Sequence, residues 1–334
     1  MNADITIIGA GPTGLFGAFY AGLRGMTVRI VDSLPELGGQ LTALYPEKYV
    51  YDMPGFPAIL AKDLARQMAE QALRFGPEVR LGETAQTLER TEDGWVLGTD
   101  RSEALETRTL LITAGPGAFQ PTRLGLAEEA RFEGRGLRYG VRAKGELAGR
   151  RVVVVGGGDS ACDWALALSE VAREVTLVHR RDGFRAHEET VKALRESPVR
   201  ILTPFTVSAL LGDERLEAVE IARTDGDGRT VLECDDLVVN IGFKSSLGPI
   251  RSWGIETVGN QIVVDSAFRT NLPGVFAAGD VCAHGSKLKL IATGVGEAAT
   301  AVCFAKVLLD PTAKLFPGHS SERELPPAPS LTEP

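Results

Sequence analysis

The chain has 334 residues, of which 44% are hydrophobic and 24% charged, and carries a net charge of −8. That length suits about two globular domains, and the acidic balance argues against a nucleic-acid binder. No apolar run reaches the ~18 residues that a membrane helix needs, so no span is expected.

The first element reads MNADITIIGAG, an apolar strand entering a glycine turn rather than a basic segment ahead of an apolar one, so no signal peptide is expected. Residues Ile5–Asp32 read ITIIGAGPTGLFGAFYAGLRGMTVRIVD: strand, glycine turn, helix, second strand. The same order returns at Val152–His179, VVVVGGGDSACDWALALSEVAREVTLVH. Gly9 and Asp32 lie 23 residues apart, as do Gly156 and His179. Gly9, Gly11 and Gly14 correspond to Gly156, Gly158 and Ala161. The first glycine permits a tight turn, the second lets the backbone approach a pyrophosphate, and the third small residue lets helix and strand pack closely. The pyrophosphate then lies on the helix N-terminus, where free N–H groups and the helix dipole favour an anion. Two copies at matching spacing predict two dinucleotide sites.

Between the repeats, residues 79–115 alternate as short strands and close with LLITAG; residues 199–241 alternate likewise and close with LVVNIG. The chain then returns through GVFAAGD (274–280) and a helix from Gly294 to about Leu309. The expected fold is α/β, with two Rossmann-like three-layer ββα domains, the second inserted in the first. The first domain takes residues 1–116 and 242–310 and the second takes 117–241. An extension follows at 311–334, its proline-rich end expected to be disordered.

The second strand of each repeat ends where an adenosine ribose would lie. Asp32 can accept from a 2′-hydroxyl and would repel a 2′-phosphate, which fits FAD or NAD and leaves the two open. The equivalent stretch of the second repeat is His179, Arg180 and Arg181, with Arg185 four residues on. Guanidinium groups are always charged and match phosphate as a planar fork, so this end is built for a 2′-phosphate and for NADPH. Asp159 and Ser160, on the first turn of the helix that follows the second glycine turn, complete that expected site.

The motifs GAGPTG (9–14), SLPELGGQLTALYPEKYVYDMPGFP (33–57), GGGDSACDWA (156–165), HRRDGFRAHE (179–188), GVFAAGD (274–280), IATGVGEAATA (291–301) and PGHSS (317–321) span almost the whole chain. On these the chain resembles the two-dinucleotide-domain flavoprotein reductases, and among them the thioredoxin-reductase-like ferredoxin/flavodoxin–NADP⁺ reductases. The long block at 33–57 and PGHSS are the specific ones; the glycine turns alone would name only the superfamily. The resemblance implies FAD in the first domain, held by Gly9, Gly11, Thr13 and Gly14, with Asp32 at the ribose where glutamate is the commoner choice. It implies that Gln40 lies in the FAD loop, that Tyr45 stacks on the isoalloxazine, and that Phe119 and the backbone near Ala85 border the cofactor. Asp280 would bond the ribityl chain. His319 would cover the other flavin face from a partner subunit, with Ser320 and Ser321 beside it, in a homodimer. The implied reaction carries hydride from NADPH to FAD and then single electrons to ferredoxin or flavodoxin.

A thioredoxin reductase of this architecture needs a CxxC just ahead of the second glycine turn. Residues 131–151 hold no cysteine there. The four cysteines, Cys162, Cys234, Cys282 and Cys303, are far apart in sequence, which suits a reducing cytoplasm and offers neither a zinc motif nor a local dithiol. The same segment 131–151 carries seven Arg/Lys against two acids, and reads either as a solvated linker or as a dock for an acidic carrier. Other acceptors (a disulfide, a quinone, oxygen) and a non-enzymatic flavin redox sensor remain the alternative readings.

Overall fold

The structure is a computed structural model and describes residues 2–331 apart from Glu103, Arg142 and Arg323; the side chains of residues 118–120 and 244–245 lie outside the described set. The chain folds as two compact units, 1–118 with 245–334, and 119–244.

The first unit begins with strand β1 (Ala3–Ile8), helix α1 (Pro12–Leu23) and strand β2 (Val28–Asp32). Helix α2 (Ala61–Leu73) follows, then β3 (Glu78–Leu81), β4 (Ala85–Arg90), β5 (Trp95–Thr99) and β6 (Leu105–Ile112). One sheet runs β3-β2-β1-β6-β5-β4. Its β3-β2-β1-β6 part is parallel, with Ile5 opposite both Val28 and Thr109, and β5 and β4 extend it antiparallel. Both faces of the parallel part are covered, as near-continuous apolar runs require. Ile5, Ile7, Ile30 and Leu111 pack on the helices; Ile8, Val31, Leu110 and Ile112 pack on the opposite side with Trp253 and Ile262.

The second unit contributes β7 (Leu137–Arg138), β8 (Arg151–Val155), helix α3 (Asp159–Ser169), β9 (Glu174–Val178), helix α4 (Glu188–Glu196) and β10 (Arg200–Leu202). An antiparallel meander follows, β11 (Phe205–Leu211), β12 (Ala218–Arg223) and β13 (Arg229–Glu233), and then β14 (Asp236–Val239). The parallel sheet runs β7-β14-β8-β9-β10. Strand β8 divides its side chains by the period of two. Val152 and Val154 pack on α3, whereas Val153 and Val155 pack with Val207, Leu210 and Val219 of the meander. This is the expected ββα sandwich. In the first unit, by contrast, the antiparallel strands are continuous with the main sheet through the β5–β6 pairing.

On its return the chain adds β15 (Val275–Ala277), parallel to the C-terminal half of β6, and helix α5 (Ile291–Leu309). By length and composition α5 could cross a membrane. Here its Ala298, Ala301, Val302 and Ala305 face is buried in the helix-side core of the first unit. The tail is tied down as well. Buried Arg24 donates to the carbonyls of Lys314 (2.8 Å) and Leu315 (3.1 Å). The end expected to be disordered runs on to Leu331, which packs against the same core and donates its N–H to Glu70.

Candidate functional site

In the first unit, four loops converge on the N-terminus of α1. Gly9 has φ +107°, and a Cβ there would lie 2.6 Å from the Thr113 carbonyl oxygen; a Cβ on Gly14 would collide with the Gly9 carbonyl. The helix and both strand ends can therefore meet only with glycines in these places. Gly11 faces open space, which is the room a pyrophosphate needs over a helix N-terminus. The loop 38–40 lies over this turn: Gly38 N–H donates to the Ala10 carbonyl, and a Cβ on Gly39 would sit 2.8 Å from Gly11 Cα. The Gln40 side-chain nitrogen reaches the Gly115 turn, 3.5 Å from where a Cβ would stand. Thr13 Oγ1 points at Gly279, 2.8 Å from the Cβ position there.

Asp32 is buried at the end of β2 and accepts from the N–H groups of Ala10 and Leu34. Burial raises its carboxyl above the ordinary value, more than these two bonds lower it. The carboxylate is thus oriented by the chain before any ribose arrives, with acceptor lone pairs to spare. The N–H groups of Gly82 and Glu83 donate to the carbonyls of Leu34 and Asp32, which brings the chain entering buried Ala85 beside this strand end. Tyr45 lies within electrostatic reach of Asp280. Burial raises the Tyr45 phenol, and the Asp280 carboxylate raises it further. Burial also raises Asp280, against the pull of Lys287 and Lys289. His319 is exposed, its ring edge-on to Phe316 at 5.4 Å, and Ser320 and Ser321 are exposed beside it. Phe119 has its side chain outside the described residues.

The second unit repeats the turn. A Cβ on Gly156 would collide with the Asn240 carbonyl, Gly158 faces open space, and Ser160 is exposed on the first turn of α3. Asp159 accepts from the His187 N–H at 3.0 Å, and the Arg185 N–H donates to the Gly157 carbonyl at 2.7 Å. These bonds fold the segment 180–187 back over the glycine turn. His179 departs from its expected role beside the two arginines. Its ring is buried in the space that Gly157 leaves by lacking a Cβ, and stacks on Phe184 at 5.2 Å. Burial and the neighbouring arginines lower its pKa, so it stays neutral. Arg180, Arg181 and Arg185 are exposed, and among the described residues none of them forms an ion pair with Asp182, Glu188 or Glu189.

The segment 131–151 is a different case. Arg131, Arg138, Lys144, Arg150 and Arg151 are paired with Asp213, Asp236 and Glu146, Glu170, Asp236, and Glu233 and Asp235 respectively. These five cations are therefore met by acids, all but Glu146 from outside the segment, and a basic docking patch does not form from them. Arg142 lies outside the described residues.

Two polar residues carry more than their sequence context announced. Asn240 Nδ2 is buried and unpaired beside the Gly156 turn. Glu297 is a buried acid, the only one in a mostly apolar helix, and that contrast was the available signal. It accepts from Gly279 N–H and Lys287. The cysteines are all unpaired thiols. Burial pushes Cys162 up to about 11 and Cys234 and Cys282 up to about 12, and also raises Cys303, so none is a ready thiolate.

The profile of the family described as Pyridine nucleotide-disulphide oxidoreductase matches residues 3–302. The chain belongs to that family. It is 53% identical over 319 residues to "Ferredoxin–NADP reductase 2" of Shouchella clausii, covering 95% of this chain and 97% of that one. It is 52% identical over 320 residues to "Ferredoxin–NADP reductase" of Halalkalibacterium halodurans, with the same shares covered. Among solved structures, the thioredoxin reductase of T. acidophilum superposes with a TM-score of 0.78 at 26% identity, covering 93% of this chain and 99% of that one. Family membership accounts for two dinucleotide turns in one chain. The family's thiol-transfer branch requires a dithiol, and no cysteine stands near another in sequence here.

Proposed function

We propose that this protein is an FAD-dependent ferredoxin–NADP reductase. The observation that carries the reading is the identity of about half of all residues, across 95% of the chain, to relatives of that name. FAD and NADPH are its cofactors, and FAD supplies the coupling between a two-electron nucleotide and one-electron carriers. The first unit fits FAD: open space over Gly11, a pre-oriented Asp32, and Tyr45 and Asp280 in electrostatic reach of each other. The second unit fits NADPH: open space over Gly158, the exposed Ser160, and three exposed arginines on a segment folded over the turn.

In this reading Tyr45 excludes water from one flavin face and fixes the ring plane, and Asp280 orients the ribityl chain. His319 covers the opposite face from the partner of a homodimer, on a tail that Arg24 anchors at Lys314 and Leu315. Ferredoxin is the acceptor, with flavodoxin an alternative of the same chemistry, and four unpaired cysteines support a reducing compartment such as the cytoplasm. Stopped-flow bleaching of the flavin by NADPH, followed by reoxidation with ferredoxin, flavodoxin, thioredoxin or oxygen, tests this. Fast reoxidation by ferredoxin is expected. Fast reoxidation by thioredoxin alone, or an isolated protein holding no FAD, would defeat it. A protein that stays monomeric at micromolar concentration with full activity would defeat the homodimer.

A further inference from the structure

Glu297 sits in the middle of α5 with a relative exposure of 6%. Its two carboxylate oxygens face four donors, all from the segment 279–287 that precedes the helix. Lys287 Nζ lies 2.7 Å from both oxygens, the Gly279 N–H donates at 2.7 Å, His284 Nε2 lies at 3.2 Å, and Cys282 Sγ lies at 3.5 Å. Cys282, His284 and Glu297 hold ligand-type atoms within 4.8 Å of one another. The Lys287 ammonium pairs with both Glu297 oxygens, so the buried carboxylate meets its counter-charge from within the chain.

The position of Gly279 gives the cluster its meaning. This residue precedes Asp280 and has φ +80°, and a Cβ on it would stand 2.8 Å from Thr13 Oγ1 of the first α1 turn. A Cβ on Gly294, one helical turn before Glu297, would collide with the same oxygen and stand 3.3 Å from Gly279 Cα. Thr13, Gly279 and Gly294 thus meet at close quarters because neither glycine carries a side chain, and Glu297 closes the junction by holding the Gly279 amide. The spacing between the α1 N-terminus and the Asp280 turn is set there.

We propose that Glu297 is a positioning residue for FAD. Through its bond to the Gly279 amide it fixes the Asp280 turn against the Thr13 turn, so that the ribityl and pyrophosphate contacts are preset for one cofactor. Lys287 keeps the buried carboxylate charged. The inference rests on the FAD reading of the first unit.

A buried ion pair replaced as a whole by apolar residues often leaves stability unchanged, whereas removal of one partner leaves an uncompensated charge. Paired variants therefore separate positioning from folding. Glu297→Leu with Lys287→Met removes the pair and the acceptor for Gly279; Glu297→Gln with Lys287→Met removes the charges but keeps an acceptor. Apo-protein is titrated with FAD by quenching of flavin fluorescence, its melting temperature is read by circular dichroism, and NADP⁺ affinity serves as the control from the second unit. The expected result is FAD bound at least ~10-fold more weakly by the Leu/Met pair, within ~3-fold of wild type by the Gln/Met pair, and NADP⁺ affinity unchanged in both. Glu297→Asp, which keeps the charge but draws the acceptor back from Gly279 by one methylene, is expected to weaken FAD as well. Wild-type FAD affinity in a folded Leu/Met or Asp variant overturns the proposal, and so does a Gln/Met pair as weak as Leu/Met. Wild-type apo-protein that takes up no FAD would defeat the functional reading itself.

Discussion

The chain builds one turn twice and finishes it in two ways. Gly9 and Gly156 both press a carbonyl just past a neighbouring strand, and Gly11 and Gly158 both face open space, so the pyrophosphate cradle is common. The strand ends diverge. Asp32 is buried and oriented by the N–H groups of Ala10 and Leu34. His179, at the same spacing, is buried too, but as a neutral ring stacked on Phe184, and the charge is displaced to Arg180, Arg181 and Arg185 on the surface. In the proposed reading, the residue that discriminates a 2′-hydroxyl from a 2′-phosphate is therefore the aligned residue itself in the first unit, and its successors in the second. Backbone conformation supplies the shared affinity, and a few side chains at or just past the strand end supply the specificity.

The largest break in this comparison is expected at Asp32. Replacement by alanine orphans the buried Ala10 N–H, at about 1–3 kcal/mol, frees the part-buried Leu34 N–H as well, and removes the ribose acceptor. Asp32→Ala should purify largely free of flavin and melt well below wild type, read by absorbance at the flavin band and by calorimetry. An equally yellow, equally stable variant would mean that the first strand end takes no part in binding.

Next comes the second strand end. Arg180→Ala with Arg181→Ala should raise KM for NADPH by roughly 10- to 150-fold for each charge-assisted bond to the phosphate that is removed, since such a bond contributes about 1.5–3 kcal/mol. KM for NADH should hardly move. His179→Asn should instead lower stability without changing the NADPH/NADH preference, because its ring fills space under Gly157. A preference that follows His179 rather than the arginines would reverse the comparison.

Both turns were legible in the sequence because a tight approach of backbone to backbone leaves only glycine at set spacings. The acid at Asp32 was legible for the same reason: its distance from Gly9 is fixed by one helix and two strands. The burial of His179 was not, because spacing places a Cα and says nothing of which way the side chain turns; the absent Cβ at Gly157 and the ring of Phe184 decide that. The basic segment at 131–151 stayed open between two readings for another reason. Its compensating acids, Asp236 above all, stand up to 98 residues away and meet it only in the folded sheet. Glu297 carried a visible signal, a single acid in an apolar helix, yet its partners Lys287 and Gly279 are joined to it only by the return of the chain past β15.

A smaller effect is expected at Tyr45. Tyr45→Phe keeps the aromatic face and should keep FAD affinity and most activity. Tyr45→Ala removes stacking of about 0.5–1.5 kcal/mol beyond burial, so FAD should bind a few-fold more weakly and its visible spectrum should shift. An unchanged spectrum in Tyr45→Ala would place the ring away from the flavin.

The smallest effect is expected at the thiols, and it separates this chain from the thioredoxin reductases whose fold it shares. A thiol relay needs two sulfurs that can join and a thiolate to begin the exchange. Here Cys162, Cys234 and Cys282 are buried, with burial raising each thiol to about 11 or 12, so at neutral pH each stays protonated. Cys162 comes after the glycine turn, on α3, and packs as a small apolar residue with Ala161, Ala165 and Val154. Replacing all four cysteines by alanine should therefore cost some core stability, because each buried sulfur leaves a small void. It should leave NADPH-to-ferredoxin transfer close to wild type, measured as turnover per bound flavin so that any loss of folded protein is divided out. Transfer that collapses per flavin in a folded, FAD-loaded, cysteine-free protein would show that a sulfur carries electrons after all, and would move this chain to the disulfide-reducing side of its family.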